Sequence, residues 1–442
     1  MTSVIAILRL SLVLLASFLI GTALSQNLTD AQISLVSARL AESAQASWEL
    51  GTRSQAILSF NATPFSVLSP STPLPPPSSV PSSLSSALQP FFDIASTVVA
   101  GRAASNNNAT GPQPLINDAS AADPASIGIA VLLANWTGQR GEDYAGAAKD
   151  QLDFLQFRVP RTSDGAISHR TSQVQLWSDF VYMVPPFLAY YGVITRNQTL
   201  LLDAYNQIRL YRSYLRDPTA NNLWKHIVLG VNASDPGHWS TGNGWAAAGM
   251  LRVLGTIKNS EYANVLKNQQ NDLASWIKEI HTGIYPFLDS NTSLFPNYAS
   301  QPVTSSVNFL DAASTALLAS TVYRLSLLWG EHSHLSLAEK SRMALSAIDP
   351  NNSSQLVHFT PAGYLTPVVN PYDFPNLATH NTTSPEGQAF VIEMQAAWHD
   401  WVVDGSKGKN GAVSRKMTGR GGFTWGLTWA GIMVWIGDAL FI

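Results

Sequence analysis

The sequence predicts an all-α fold, an (α/α)6 barrel built from six helical hairpins. Three observations carry this reading. Nearly apolar, small-residue helices alternate with amphipathic ones, the unit recurs at roughly 55–75 residues, and strand signals are sparse. Counting an N-terminal pair and a C-terminal segment gives about twelve helices. Buried and half-buried helices in strict succession fit a closed double ring better than the alternative, an open α-solenoid.

The chain opens with a leader. Arg9 precedes the apolar run LSLVLLASFLIG, and TALS then offers small residues for cleavage near Ser25. Residues 1–25 therefore read as a secretory signal peptide, too short and wrongly flanked for a membrane span. The remainder, 26–442, reads as a single barrel domain. Its first segment, TDAQISLVSARLAESAQASWELGTRSQAIL, reads as one long helix opened by a capping box from Thr29 to Gln32. Residues 68–86, LSPSTPLPPPSSVPSSLSS, are too rich in Pro and Ser to build a core and read as a surface loop or O-glycosylated segment.

The apolar helices are then ASIGIAVLLANW, VYMVPPFLAYYGVI, NGWAAAGMLRVLGTI, DAASTALLASTVYRLSLLWG and GQAFVIEMQAAWHDW. The amphipathic kind is typified by YAGAAKDQLDFL, where Tyr144, Ala148, Leu152 and Leu155 share one face. Ser336 to Glu339 offers another capping box, and Ser384-Pro385 an N-cap followed by proline at the first helical position. The hydrophobic segment at 423–442 admits two readings, a closing barrel helix or a GPI signal; the helix is the favoured one.

Composition narrows the function. Ten asparagine sequons, at Asn27, Asn61, Asn108, Asn135, Asn197, Asn232, Asn291, Asn351, Asn352 and Asn381, fit a secreted glycoprotein. The absence of cysteine excludes disulfides and thiolate metal sites. A net charge of −3 without a basic stripe argues against nucleic acid, and no membrane partner is expected beyond the GPI alternative. No G-x-S-x-G elbow, H-E-x-x-H pair or phosphate-cradling glycine loop occurs. Glu331, His332 and His334 fall in a loop after an apolar helix, so neither metal nor cofactor is expected.

In a helical ring the loops entering the inner helices meet at one mouth. Asp123, His169, Asp179, His226, Asn308, Asp311, Glu386 and the HWSTGNGW turn at 238–245 lie at such entries. Asp179, set among Trp177, Phe180, Tyr182 and Met183, faces two opposed effects. Desolvation would raise its pKa toward that of a general acid, and a helix N-terminus would lower it. Simple helix capping is the competing role for Asp179 and for Asp123.

These residues resemble the unsaturated rhamnogalacturonyl and glucuronyl hydrolases of glycoside hydrolase families 105 and 88. The likeness rests on LWSDFVYMVPPFLAYYG, LWKHI, HWSTGNGWAAAGMLRVL, DPASIGIAVLLA and SPEGQAF. The resemblance implies an (α/α)6 enzyme acting on oligosaccharides that end in a 4,5-unsaturated uronic acid. It also implies Asp179 as acid/base, Asp123 as second aspartate, and His226, Trp239, Asn243 and Trp245 as cavity residues. Trp239 and Trp245 would stack on the sugar, with Gly242 and Gly244 giving it clearance. One position departs from the family, which commonly carries arginine where this chain has Thr241. A hydroxyl cannot replace a guanidinium facing a uronate, so His169, His238 or Arg170 must serve, or the substrate differs. The competing readings are an inverting glycosidase using Asp123 and Asp179, and a non-catalytic secreted glycan-binding protein.

Overall fold

A computed structural model describes residues 27–70, 72–303, 308–379 and 383–409. The expected leader at 1–25, the sequon at Asn381 and the segment at 423–442 lie outside them. Twelve α-helices occur among the described residues. They are α1 (Asp30–Ser43), α2 (Ser47–Asn61), α3 (Ser85–Ser105), α4 (Gly128–Trp136), α5 (Tyr144–Phe157), α6 (Phe180–Ile194), α7 (Gln198–Leu215), α8 (Ser240–Asn259), α9 (Lys267–Ile284), α10 (Ala312–Trp329), α11 (Leu335–Leu345) and α12 (Pro385–Val403).

The even-numbered helices form the inner ring. Each packs on the next, and α12 packs on both α10 and α2, which closes the circle and excludes the open solenoid. Sequence accounts for the division. In α8 every residue from Ser240 to Ile257 is buried, as small and apolar side chains demand. In outer α9 burial falls on Leu273, Ala274, Ile277, Ile280, His281 and Ile284, the stripe of a one-sided helix.

Two local expectations change. The single long N-terminal helix is a hairpin, because α1 ends at Ser43 and α2 begins at Ser47. The break is held by Glu49, whose Oε2 accepts from the backbone N–H groups of Gln45 and Ala46, each at 2.8 Å. This extra hairpin supplies the sixth inner helix, so twelve helices are reached without the C-terminal segment. The Ser336–Glu339 capping box does not form, since α11 starts at Leu335 and Glu339 instead pairs with Arg342 and Tyr323. The capping box at Thr29 and the Ser384 N-cap, with proline at the first helical position, form as the sequence indicates.

The Pro/Ser segment is a surface strap with fixed anchors. Leu68, Thr72 and Leu74 are buried, Leu74 N–H donates to Asn259 O at 2.8 Å, and Trp136 Nε1 donates to Pro76 O at 2.9 Å. Below the mouth, α6 carries Pro185 and Pro186 inside the helix. Neither can donate to the carbonyl four residues back, which leaves those of Val181 and Tyr182 without helical partners. Arg252 Nη1 on α8 donates to Tyr182 O at 3.0 Å. Gly249 lets α8 approach, as a Cβ there would lie 2.0 Å from Val181 O.

Candidate active site

The N-terminal ends of the inner helices meet around a cavity of about 190 Å³. Its wall comprises Trp48, Asp123, His169, Arg170, Trp177, Asp179, Met183, Trp239, Trp245, Pro371, Tyr372, Phe374 and Glu386. Trp48 comes from α2, Asp123 from the 3-10 turn before α4, Asp179 from the entry to α6, and Glu386 from α12. A hairpin of two short strands, Val369–Asn370 and Asp373–Leu377, supplies Tyr372 and Phe374.

Asp179 does not cap its helix. It occupies the N-cap position of α6 with helical φ −59° and ψ −34°, and its side chain accepts no backbone N–H. Its carboxyl accepts from Ser178 Oγ at 3.0 Å, and its Oδ2 lies 3.5 Å from His226 Nε2. Burial wins the contest with the helix end and raises its pKa above the ordinary value. His226 is oriented from behind. Its Nδ1 pairs with Asp235 Oδ2 at 2.9 Å, and that same oxygen accepts from Tyr298 Oη at 2.6 Å. The Asp235 pairing places a proton on Nδ1 and turns Nε2 toward Asp179.

Asp123 is also free of capping duty. Its Oδ1 lies 3.4 Å from His169 Nε2, and burial, with Asp118 and Asp179 nearby, pushes its pKa to about 8. His169 is buried and held well below its ordinary value, so it stays neutral, stacked on Trp177 at 4.7 Å with an interplanar angle of 9°. Glu386, buried in the first turn of α12 and close to Glu49, is pushed up to about 8. Its Oε2 has no hydrogen-bond partner among the described residues. Asp311 shows the contrasting case. It caps α10, accepting from Ser314 N–H at 2.7 Å, and it also accepts from Val369 N–H at 2.9 Å. Asn308 likewise serves its loop, bonding both the N–H and the O of Tyr298.

The HWSTGNGW turn divides between wall and scaffold. Trp239 and Trp245 line the cavity, but as buried rings, 6% and 2% exposed. Asn243 does not reach the cavity, which corrects its expected binding role. All its polar atoms are spent on backbone, with Oδ1 accepting from Trp224 N–H and Nδ2 donating to Trp224 O and Trp239 O. Thr241 is also absent from the wall, buried with Oγ1 donating to Asp311 Oδ2 at 3.4 Å. Gly242 and Gly244 make room for protein rather than sugar, since a Cβ would meet Ser178 Oγ at 2.3 Å or Leu317 Cδ2 at 2.7 Å. His226 is 1% exposed on its side chain and faces Asp179 rather than the wall.

His238 is committed elsewhere, pairing with Asp217 at 3.3 Å and Ser300 at 2.7 Å. Of the alternatives to an arginine at position 241, the wall therefore holds His169 and Arg170, and Arg170 is its one arginine or lysine among the described residues. Its guanidinium lies 5.8 Å from the Trp177 ring centroid. Sequence reasoning did not single out Trp48, Tyr372, Phe374, Asp235 or Tyr298. Asp235 stood in a readable Asp-Pro-Gly turn beside His238, whereas the hairpin aromatics carried no sequence signal.

Residues 89–360 match the model of Glycosyl Hydrolase Family 88. The unsaturated rhamnogalacturonyl hydrolase YesR of Bacillus subtilis (strain 168) is 24% identical over 128 residues, which span 27% of this chain and 37% of that relative. Among solved structures, a candidate family GH105 member from Salmonella enterica serovar Paratyphi A superposes with a TM-score of 0.61 at 16% identity, covering 83% of this chain and 92% of that one. A family 88 glycosyl hydrolase from Bacteroides vulgatus gives a TM-score of 0.53 at 15% identity, covering 71% and 85%. These likenesses agree with the closed double ring of helices.

Proposed function

The chain belongs to Glycosyl Hydrolase Family 88, and from that premise we propose that it is a secreted hydrolase of oligosaccharides ending in a 4,5-unsaturated uronic acid. The observation that carries this reading is Asp179, a buried carboxyl that caps nothing, faces His226 Nε2 and opens into an aromatic cavity.

Such a substrate carries a vinyl ether in its terminal ring. Asp179, its pKa raised by burial, donates its proton to C4, and positive charge develops at C5 and the ring oxygen. Water adds at C5 and returns a proton to the Asp179 carboxylate. The product is a hemiketal, whose opening to a C5 ketone exposes a hemiacetal at C1 that expels the second sugar. Net, one water is consumed, one glycosidic bond is lost and Asp179 is regenerated. His226 holds the reacting carboxyl in place, and Asp123 with His169 borders the side where water or ring hydroxyls bind.

Electrostatics support an anionic ring. Three ionised carboxylates on the wall would repel a uronate, but burial keeps Asp123 and Glu386 protonated below about pH 8. Both can then donate hydrogen bonds, and Arg170 supplies the positive charge that Thr241 cannot. Secretion is supported by the exposure of Asn61, Asn108, Asn135, Asn197, Asn232, Asn291, Asn351 and Asn352, which places these sequons at the surface where glycans are carried.

The test is to supply lyase-generated oligosaccharides to the purified protein and follow the ultraviolet absorbance of the conjugated double bond. Loss of absorbance is expected with the native protein and not with Asp179→Asn. No loss across pectin, glucuronan and glycosaminoglycan products overturns the reading, and binding without turnover would leave a glycan-binding protein in its place.

A further inference from the structure

Five wall residues, Trp48, Pro371, Tyr372, Phe374 and Glu386, fall outside the 89–360 stretch matched by the family model. Three of these sit on the hairpin of Val369–Asn370 and Asp373–Leu377, which crosses the mouth. On one side it is moored by Val369 N–H to Asp311 Oδ1 at 2.9 Å and by Asn297 Nδ2 to Phe374 O at 2.8 Å. On the other side its tip meets α2. Tyr372 Oη donates to Glu49 Oε1 at 3.2 Å, and the Tyr372 ring stands edge-on to Trp48 at 5.4 Å.

Tyr372 borders the cavity and is nonetheless 66% exposed. An exposed aromatic ring is ordinarily mobile, but this one is tethered at its hydroxyl. Glu49 is itself fixed, because its other oxygen accepts from Gln45 and Ala46 N–H. The Tyr372 phenol, pushed up to about 12 by burial and Glu49, keeps the proton that makes the tether. The cavity behind it, about 190 Å³, is smaller than the roughly 300–1,000 Å³ of pockets that enclose drug-sized ligands. It has room for a single sugar ring, so the next ring of any oligosaccharide must lie at the rim.

We infer that Tyr372, braced by Trp48 and Glu49, is the platform on which the second sugar, the leaving group of the proposed reaction, stacks. This rests on the uronyl hydrolase reading for the chemistry, although the platform itself is defined by geometry alone. A rigid aromatic face at the rim favours a leaving sugar over a small alkyl leaving group, because only the sugar presents an apolar ring face to cover.

The experiment compares two substrates in each protein, an unsaturated uronyl disaccharide and the methyl glycoside of the same unsaturated uronic acid. The ratio of their kcat/KM values is independent of how much of a variant is folded. Native protein should favour the disaccharide. Tyr372→Ala should cut that preference roughly tenfold, and Tyr372→Phe, which keeps the ring, should retain most of it. An unchanged ratio in Tyr372→Ala overturns the platform, as does an equal loss on both substrates, which would mean that the hairpin only shapes the inner cavity. If native protein turns over neither compound, the uronyl reading fails by itself. The same ratio is then taken from calorimetric affinities, with the same outcomes for and against the platform.

Discussion

Asp179 Oδ2 and His226 Nε2 face each other across 3.5 Å at the entry to α6, and the histidine is tied from behind to Asp235 at 2.9 Å. Asp179→Asn keeps the size and the Ser178 contact but removes the transferable proton. A positioned general acid is worth about 10²–10⁴-fold, so kcat should fall by at least that lower figure while the fold is retained. Steady-state kinetics together with a thermal melt check both halves.

Asp235 never touches the cavity wall, and its effect passes through His226. Asp235→Asn can offer an N–H where Nδ1 now donates, which favours the other tautomer and puts a hydrogen on Nε2. A hydrogen bond to a charged group is worth about 1.5–3 kcal/mol, so kcat should drop roughly 10- to 100-fold with little change in KM. A pH–rate profile displaced relative to the native enzyme would separate this orienting role from simple loss of stability.

Arg170 should govern affinity rather than chemistry. Arg170→Ala is expected to raise KM about 10- to 100-fold for a uronate and much less for its methyl ester, with kcat nearly unchanged. Equal effects on acid and ester would assign carboxylate recognition to another group.

The architecture was legible because burial repeats with the helical period. Inner α8 is buried all round from Ser240 to Ile257, whereas outer α9 buries one stripe. The break at Ala44–Ala46 was hidden because no glycine or proline marks it; it depends on Glu49 reaching back to two backbone N–H groups. Site residues were legible as helix entries, but entry alone does not separate Asp179 from Asp311. Only geometry shows that one spends its carboxylate on capping and the other does not. Asn243 misled for a related reason: a polar side chain in a glycine turn can serve the backbone as readily as a ligand. Tyr372 and Phe374 were invisible because a hairpin far along the chain folds back over the mouth.

Arg252 links stability to the site. It answers the Tyr182 carbonyl stranded by Pro186, lies 4.6 Å from the Tyr182 ring centroid, and balances Glu393, which accepts from Tyr182 Oη at 3.2 Å. Arg252→Ala removes one member of a buried charge network, a change that costs about 3–5 kcal/mol. Thermal or urea denaturation should show a loss of this size, and Arg252→Lys should recover only part of it because one ammonium cannot replace the planar fork. A loss below about 1 kcal/mol, the level of an ordinary surface change, would show that the carbonyl is satisfied otherwise.

Stability should peak near neutrality and fall on the alkaline side. His169, His281, His334 and His358 are held below 6.5 by burial. The unfolded chain therefore binds more protons than the native one, and their contribution rises with pH until about 6.5. Asp123 and Glu386 act in the opposite sense. Raised from 3.8 and 4.5 to about 8, they hold protons in the native state that the unfolded chain has released. Their contribution is complete below those unfolded values and is lost as pH climbs through about 8. Glu393, at about 7, adds to the same limb. The two groups oppose each other between 4.5 and 6.5, and above 6.5 the carboxyls stand alone. The melting temperature should therefore decline from about pH 6.5 to about pH 9. In an Asp123→Asn, Glu386→Gln double variant, which cannot ionise at these positions, that decline should flatten. An equally steep decline in the double variant would mean that these two carboxyls are already ionised in the native cavity.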